Sequence, residues 1–388
     1  MTDFADGNEL TLLESGREYF PALEGACDEA RHEIHIESYI FEEDAAGERI
    51  ANALKRAARR GVATHLLVDG FGSKRLTESF CRDLEHAGVK LLVYRPEIAS
   101  WRSPRQRLRR MHRKLAVIDA RIAFVGGINV IDDMHTPRQT PPRFDYAVRI
   151  EGPLLEYIHP TVKRLWTIVQ LTQLGGGWPD WDGPRPVVAP KARQRAAFVV
   201  RDNLWHRKDI EDAYLEAIAR ARSEILIASS YFFPGLSFRR ALAQAAGRGV
   251  RVVLLLQARV EYRLLHYASR ALYGALLDAG VEIHEYHKSF LHAKVAVIDG
   301  TWATVGSSNI DPFSLLVARE ANVIADDASF SKLLRQSLAA AMESGAQQVR
   351  PEHWRRRPLP ERLAHWICYG FARLLTGVGS YGHAREYA

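Results

Sequence analysis

The sequence predicts an α/β protein built from two duplicated units. Each unit is expected to be a mixed, largely parallel sheet covered by helices, and the two to pack with pseudo-two-fold symmetry around one shared site. Three observations predict this. First, several blocks recur in the same order: ARHEIHIESYIF (30–41) resembles ARSEILIASSYFF (221–233), ALKRAARRGVATHLLVDG (53–70) resembles ALAQAAGRGVRVVLLLQA (241–258), and LEHAGVKLLVY (84–94) resembles LLDAGVEIHEY (276–286). Second, β-rich and helical runs alternate within each series, the pattern of an α/β sheet. Third, a polar motif closes each series, MHRKLAVID at 111–119 and LHAKVAVID at 291–299.

The elements follow in order. IHIESYIF and ILIASSYFF are strand-like. Residues 48–60 and 238–248 are Ala/Arg-rich at helical spacing, and Gly61 and Gly249 stand where a C′ glycine ends a helix. THLLVD and VVLLLQ are near-continuous apolar runs, as buried parallel strands are. The repeat is too long for a solenoid unit. Residues 173–194, QLGGGWPDWDGPRPVVAPKARQ, are dense in Gly and Pro and read as a linker. The expected organisation is a first unit at 1–172, the linker at 173–194, a second unit at 195–345 and a basic amphipathic tail at 346–388.

Composition bounds the partners. The chain has 388 residues, a formal net charge of +7 and a sequence pI near 9.3. That favours anionic partners, a nucleic acid or an acidic lipid surface. Cys27, Cys81 and Cys368 lie far apart with no CxxC, which excludes a disulfide framework or Cys-based zinc site and fits a reducing cytosol. The acidic, polar N-terminus is no signal peptide. No apolar run is long enough to span a bilayer, so a membrane would be met from its surface.

The repeated motif carries the chemistry. His112 and Lys114, like His292 and Lys294, are two apart. On a strand they share one face, roughly 6–7 Å apart. Gly-rich turns follow, VGGIN at 125–129 and VGSSN at 305–309, each ending in Asn (Asn129, Asn309). Gly permits a tight turn and close approach of a ligand. Lys and Asn donate to non-bridging phosphate oxygens, and His works as nucleophile or general acid–base near neutral pH. Two sets brought together give two histidines on one phosphate. One attacks phosphorus, the other protonates the departing alkoxide, and the roles then reverse. No metal or cofactor is called for, because two lysines and two asparagines already neutralise the anion.

His-x-Lys-x4-Asp followed by Gly-Gly/Ser and Asn resembles the signature of the phospholipase D superfamily, and both copies match in full. Within it the chain is most similar to bacterial cardiolipin synthases of the short, type B kind, through DGFGSK (69–74), RRMHRKLAVIDARIAFVGGIN (109–129), FDYAVRIEGP (144–153), YFFPG (231–235) and WATVGSSNIDPFSLL (302–316). The resemblance covers nearly the whole chain and lacks the N-terminal spanning segments of longer relatives. It implies a catalytic set of His112, Lys114, Asp119, His292, Lys294 and Asp299, with Asn129 and Asn309 binding substrate. Within that set Asp119 and Asp299 lean towards tying the local backbone or Lys. Asp145 and Glu320 take the places of the family's orienting carboxylates, and the sequence does not say which serves which His. By the same resemblance His112 is favoured as nucleophile and His292 as acid.

The implied activity is phosphatidyl transfer from phosphatidylglycerol or phosphatidylethanolamine to phosphatidylglycerol through a phosphatidyl-histidine, without cofactor. The implied partner is an anionic phospholipid surface, on the cytoplasmic face of the bacterial inner membrane, with no obligatory protein partner. One rival is a phosphodiesterase acting on phospholipid or nucleic acid with water as acceptor. The whole-chain likeness and the tail argue against nucleic acid. A second rival, an inactive lipid-binding scaffold, is opposed by intact His, Lys and Asn in both halves. His35, Glu37, Tyr39 and Tyr231, at the ends of early strands, are assigned to packing. His135, His284 and His287 lack ligand spacing. The basic run RSPRQRLRRMHR (102–113) sits at the expected mouth, where it would meet anionic headgroups. In the tail, Leu363, Trp366, Ile367, Phe371, Leu374, Leu375 and Val378 form an amphipathic stripe behind Arg355, Arg356 and Arg357. It suits either docking on the core or lying in a lipid interface.

Overall fold

The repeat in the sequence is a repeat of strand order. The computed structural model describes residues 3–96, 110–134, 140–174, 183–186, 189–202, 206–259, 263–311 and 318–380. In the first half β1 (Phe4–Glu14), α1 (Ser15–Glu29), β2 (Glu33–Ser38), α2 (Ala45–Arg59), β3 (Ala63–Asp69), α3 (Glu78–His86) and β4 (Lys90–Tyr94) precede the motif strand β5 (Lys114–Ile118). Then come β6 (Ile122–Gly126), β7 (Arg143–Phe144), β8 (Tyr146–Glu151) and α4 (Leu155–Leu174). The second half begins with β9 (Gln194–Arg201), α5 (Asp209–Arg220), β10 (Glu224–Ser229), α6 (Leu236–Gly247) and β11 (Arg251–Gln257). It continues with α7 (Arg263–Arg270), α8 (Tyr273–Asp278), β12 (Glu282–Tyr286), β13 (Phe290–Leu291) and the motif strand β14 (Lys294–Ile298). Next are β15 (Trp302–Gly306), β16 (Glu320–Asp326) and α9 (Ala328–Gly345). The tail is β17 (Ala346–Gln348), α10 (Pro351–Arg355) and α11 (Leu359–Ser380).

Local chemistry sets these boundaries. Asp44 caps α2 by accepting from the Ala46 and Gly47 amides, Thr77 caps α3, and Asp327 caps α9. Gly61 ends the α2 turn at φ +88°, a left-handed conformation that suits glycine. The inward face of α2 is Ile50, Ala53, Leu54 and Ala57, at helical spacing and fully buried.

The strands join in one sheet of order β17-β12-β11-β10-β14-β15-β16-β9-β1-β8-β6-β5-β2-β3-β4. The order is symmetric about the β9–β1 pair, with β17 as an extra edge strand. A core of Leu155, Ile158 and Val162 on α4 and Phe330, Leu334 and Leu338 on α9 is common to both halves. Each half buries its other face under its own helices. No helix of the described residues is long and apolar enough to cross a membrane.

The expectation of largely parallel sheets is corrected. Among the described residues, four neighbouring pairs of the large sheet are parallel. Ten are antiparallel. Parallel pairing is confined to the β2-β3-β4 and β10-β11-β12 arms, where helices make the crossovers. The motif strands instead return through tight turns, which only an antiparallel neighbour permits. Asp119 and Ala120 turn at φ 51° and 50°, and Asp299 and Gly300 at 52° and 66°.

The turn aspartates have a structural task. Asp119 accepts from the backbone amides of Arg31, His32 and Glu33 at 2.8–2.9 Å, pinning its hairpin to the start of β2. Asp299 does the same with Arg222, Ser223 and Glu224 before β10. Asp119→Ala leaves buried amides without acceptors. It should lower the unfolding free energy by about 1–3 kcal/mol in denaturant titration, with turnover of the folded protein little changed. A collapse of turnover at unchanged stability would make this aspartate catalytic.

Candidate active site

Two parallel seams between the halves build the site. At one, β13 runs beside β7, with Phe290 opposite Arg143 and Leu291 opposite Phe144. At the other, Met111 bridges Arg319 in the same sense. The next residue in each first segment is a motif histidine. The next in each second segment is a carboxylate of the other half. The His292 amide donates to the Phe144 carbonyl at 2.8 Å, and the His112 amide to the Arg319 carbonyl at 2.9 Å.

The side chains then meet across the seams. His292 Nδ1 lies 2.5 Å from Asp145 Oδ2, and His112 Nδ1 lies 2.9 and 3.1 Å from the two oxygens of Glu320. The pairing is crossed, each half supplying the carboxylate for the other half's histidine. An ionised carboxylate only accepts, so each Nδ1 carries the hydrogen and each Nε2 is left to do chemistry.

Lys114 and Lys294 are buried at the start of their strands. Lys114 donates to the His112 carbonyl and Lys294 to that of His292, with Lys294 Nζ 2.8 Å from His292 Nδ1. Burial lowers both lysines, Lys114 to about 7 and Lys294 to about 8, against the pull of Glu320 and Asp145. Both histidines are also pushed down, first by burial. His292 is held well below its ordinary value, with Lys294, Arg143 and Lys114 adding to the effect. Glu320 partly restores His112. Burial pushes the Asp145 carboxyl up, and Lys294 opposes this. Lys114 acts on His292 and Lys294 acts on His112, so the two motifs share one electrostatic site.

The asparagines are pre-oriented. Asn129 Oδ1 accepts from the Ile40 amide at 3.1 Å, and Asn309 Oδ1 from Ser230 Oγ at 2.7 Å. The turn glycines make room for neighbouring protein, beyond the expected ligand. A Cβ on Gly127 would stand 2.3 Å from Asp145 Oδ1, and one on Gly126 2.5 Å from Ala147 Cα. At the matching place in the second half, Ser307 Oγ donates to Glu320.

Of the expected site residues, His112, Lys114, Asn129, Asp145, His292, Lys294, Asn309 and Glu320 stand at the seams or the turns beside them. Asp119 and Asp299 do not, and their place in the catalytic set is corrected. They sit at the opposite ends of the motif strands, with their carboxylates taken up by backbone amides.

Sequence reasoning missed several contributors. The Tyr39 ring lies 4.7 Å from the His112 ring and 5.3 Å from Lys114 Nζ, so its assignment to packing was too narrow. Its position at the end of β2, where α/β sites form, was the usable signal. Arg143 is buried over the Phe290 ring and acts on Asp145, His292 and both lysines. No spacing flagged it. Of the basic run, 102–109 lies outside the described residues. Arg113 is buried in a two-bond pair with Glu37, and so does not face a headgroup. His135 also lies outside the described residues. Among the described residues one group has metal-ligand reach, Glu33 with His35 and His159. It is at the other end of β2, and its carboxylate is already held by both imidazoles and Lys163. A small cleft lined by Ser230, Tyr231, Gln257, His266, Ser269 and Tyr273 among others adjoins the chain on either side of His292, where Gln257 donates to the Leu291 carbonyl and the Ser230 amide to that of Ala293.

A duplicated sheet with paired His-Lys motifs brought together at one site defines a phospholipase D-like protein. The family described as cardiolipin synthase, PLD-like domain, matches residues 24–153 and 214–342, and the chain belongs to that family. Cardiolipin synthase B of Escherichia coli K12 is 41% identical over 348 residues, covering 89% of this chain and 83% of the relative. The cardiolipin synthase of Geobacillus kaustophilus is 31% identical over 373 residues, covering 95% and 72%. The crystal structure of phosphatidylserine synthase from Haemophilus influenzae superposes at a TM-score of 0.67 with 13% identity, covering 95% of this chain and 94% of that one, which supports the fold. The chain is thus an enzyme of the phospholipase D superfamily, in a family of phosphatidyltransferases.

The crossing makes a spectroscopic prediction. In ring-15N histidine spectra, Asp145→Asn should disturb the signals of His292 more than those of His112, and Glu320→Gln should do the reverse. Larger shifts within each half would contradict the geometry.

Proposed function

We propose that the protein is a cardiolipin synthase that transfers a phosphatidyl group by way of a phosphatidyl-histidine. The observation that supports this most is the pair of crossed His–carboxylate contacts, which leaves two Nε2 atoms at one cationic site. His112 Nε2 attacks the phosphorus of a phosphatidylglycerol or phosphatidylethanolamine donor. The P–N bond forms as the bond to the donor alcohol breaks, and His292 Nε2–H gives its proton to that oxygen. A hydroxyl of a second phosphatidylglycerol then loses its proton to His292 and attacks phosphorus. The P–N bond breaks, cardiolipin leaves and His112 is regenerated. Glu320 fixes the tautomer of His112, and Asp145 stabilises the imidazolium of His292. Lys114, Lys294 and the asparagine NH2 groups hold the non-bridging oxygens.

The cost in this arrangement is the low basicity of His292, which burial and the neighbouring cations impose. The bound phosphate supplies a negative charge beside it and raises it towards protonation, so the acid is armed when substrate is present. On this reading the enzyme works at the cytoplasmic face of the bacterial cell membrane, and its partner is phospholipid.

Purified protein with phosphatidylglycerol vesicles should give cardiolipin and glycerol. Cleavage of single-stranded DNA without lipid transfer would sink the reading in favour of a phosphodiesterase. A phosphatidyl donor with a nitrophenol leaving group needs no acid to depart. With it, His292→Ala should stall as an adduct mapped by mass spectrometry to His112, and an adduct on another residue would reverse or remove the assignment. His112→Ala should lose about three or more orders of magnitude in turnover.

The lysines predict a pH effect. With pKa values lowered to about 7 and 8, both are charged below those values and lose charge as pH rises through them. Anion binding needs the charge, so KM should rise above neutral pH, by up to about tenfold per pH unit for each lysine titrated. A flat KM from pH 6 to 9 would contradict lysine-based phosphate binding.

A further inference from the structure

The C-terminal helix α11 is held to the protein by a narrow side of His365, Cys368, Tyr369 and Ala372 and turns a broader apolar side outward. His365 is 3% exposed and Ala372 2%, with Cys368 and Tyr369 partly buried beside them. These residues recur at helical spacing. His365 stacks on Tyr267 of α7 at 5.6 Å and on Trp354 of α10 at 6.0 Å. Tyr369 meets Phe233 at 5.5 Å. On the opposite side Leu359, Leu363, Trp366, Ile367, Phe371 and Leu374 are 53–76% exposed. They too recur at helical spacing, one stripe the length of the helix. The side chains of Leu375 and Val378 lie outside the described residues. Core docking, one of the two roles the sequence allows, therefore accounts for the helix being held but leaves its stripe uncovered.

Other exposed apolar side chains lie on the same side of the molecule. His112 precedes β5, and β2 is antiparallel to β5, so the C-terminal ends of β2 and β3 lie at the site. The same holds for β10 and β11. Phe71 follows β3, Leu236 opens the helix after β10, Tyr267 is on α7 after β11, and Met134 follows the Asn129 turn; all are 39–55% exposed. Among the described large apolar residues exposed to solvent, only Tyr157 and Leu333 lie elsewhere, near the starts of α4 and α9, where β8 and β16 have run away from the site. A monomer in water rarely leaves such an uncovered stripe without a partner.

We infer that α11 and this rim form a docking surface for a bilayer containing anionic phospholipid, with the site mouth facing the lipid. The choice of occupant rests on the lipid-transfer reading above. Charge supports it independently. The chain is +7 overall, and exposed Arg356 and Arg362 flank the stripe, as in helices that lie in a headgroup region. Trp366 fits that interface, where amphipathic aromatic rings collect. Docking there also sets the helix against the cleft wall. Trp354, on which His365 stacks, packs on Tyr273 at 4.9 Å, and Tyr273 lines the cleft whose Ser230 and Gln257 bond the backbone on either side of His292.

The test is vesicle flotation of the full chain on phosphatidylcholine with and without phosphatidylglycerol. Wild type should float with the anionic vesicles. The triple variant W366E/I367E/F371E should lose about tenfold or more of that binding, while its turnover of detergent-dispersed phosphatidylglycerol stays within about twofold. Retained turnover also shows that it folds. Ile367→Cys carrying an environment-sensitive dye should shift to the blue on anionic vesicles, and the same dye at Tyr157→Cys should not. Unchanged flotation of the triple variant, or no shift at position 367, overturns the inference. A wild-type dimer that the variant splits, with flotation intact, overturns it too, because the stripe then belongs to a second copy. If flotation and dye shift hold but no lipid transfer occurs, the docking surface stands and the transferase reading falls.

Discussion

The structure depends on two short parallel seams that cross between the halves. Each is a few residues long, and each sets one register, a motif histidine against a carboxylate of the other unit. Without the β13–β7 pairing His292 has no Asp145, and without the Met111–Arg319 bridge His112 has no Glu320. Neither half can complete its own histidine. The duplication therefore yields one site, and the β9–β1 junction with its common core keeps the two contributions aligned.

Burial gives this arrangement its chemistry. Dehydrating two lysines and two histidines together depresses all four, because each charged form is costly away from water and near its neighbours. On the transfer reading, a bound phosphodiester adds negative charge beside these groups and raises them towards protonation. The same low dielectric strengthens the contacts to the transferring group. The glycine and serine of the turns fit the same scheme. Gly127 leaves space for the Asp145 carboxylate, and Ser307 holds that of Glu320.

Much of this was legible in the sequence, for a physical reason. Duplicated units keep a common core, so their apolar strands and punctuating glycines recur in order, and the motif strands carry His and Lys at fixed places. Crossing was not legible. It joins residues 147 and 208 positions apart, and no local pattern encodes which acid reaches which imidazole. The share of antiparallel pairing was also missed, because a buried apolar strand reads alike in either sense. Asp119 and Asp299 show the limit of motif reading. They recur as faithfully as the histidines, yet they hold turns. Arg143 shows the converse, a residue with no repeat signal that lies in the site's field. The tail stripe was readable as a period, but its direction needed the packing of His365.

The central claim is that two motifs make a single site. Its most direct measurement is the size of the first-turnover burst with a chromogenic phosphatidyl donor, checked by intact mass. One alcohol released and one phosphatidyl group bound per chain is the predicted result. Two per chain would mean that each motif works alone, and would contradict the account.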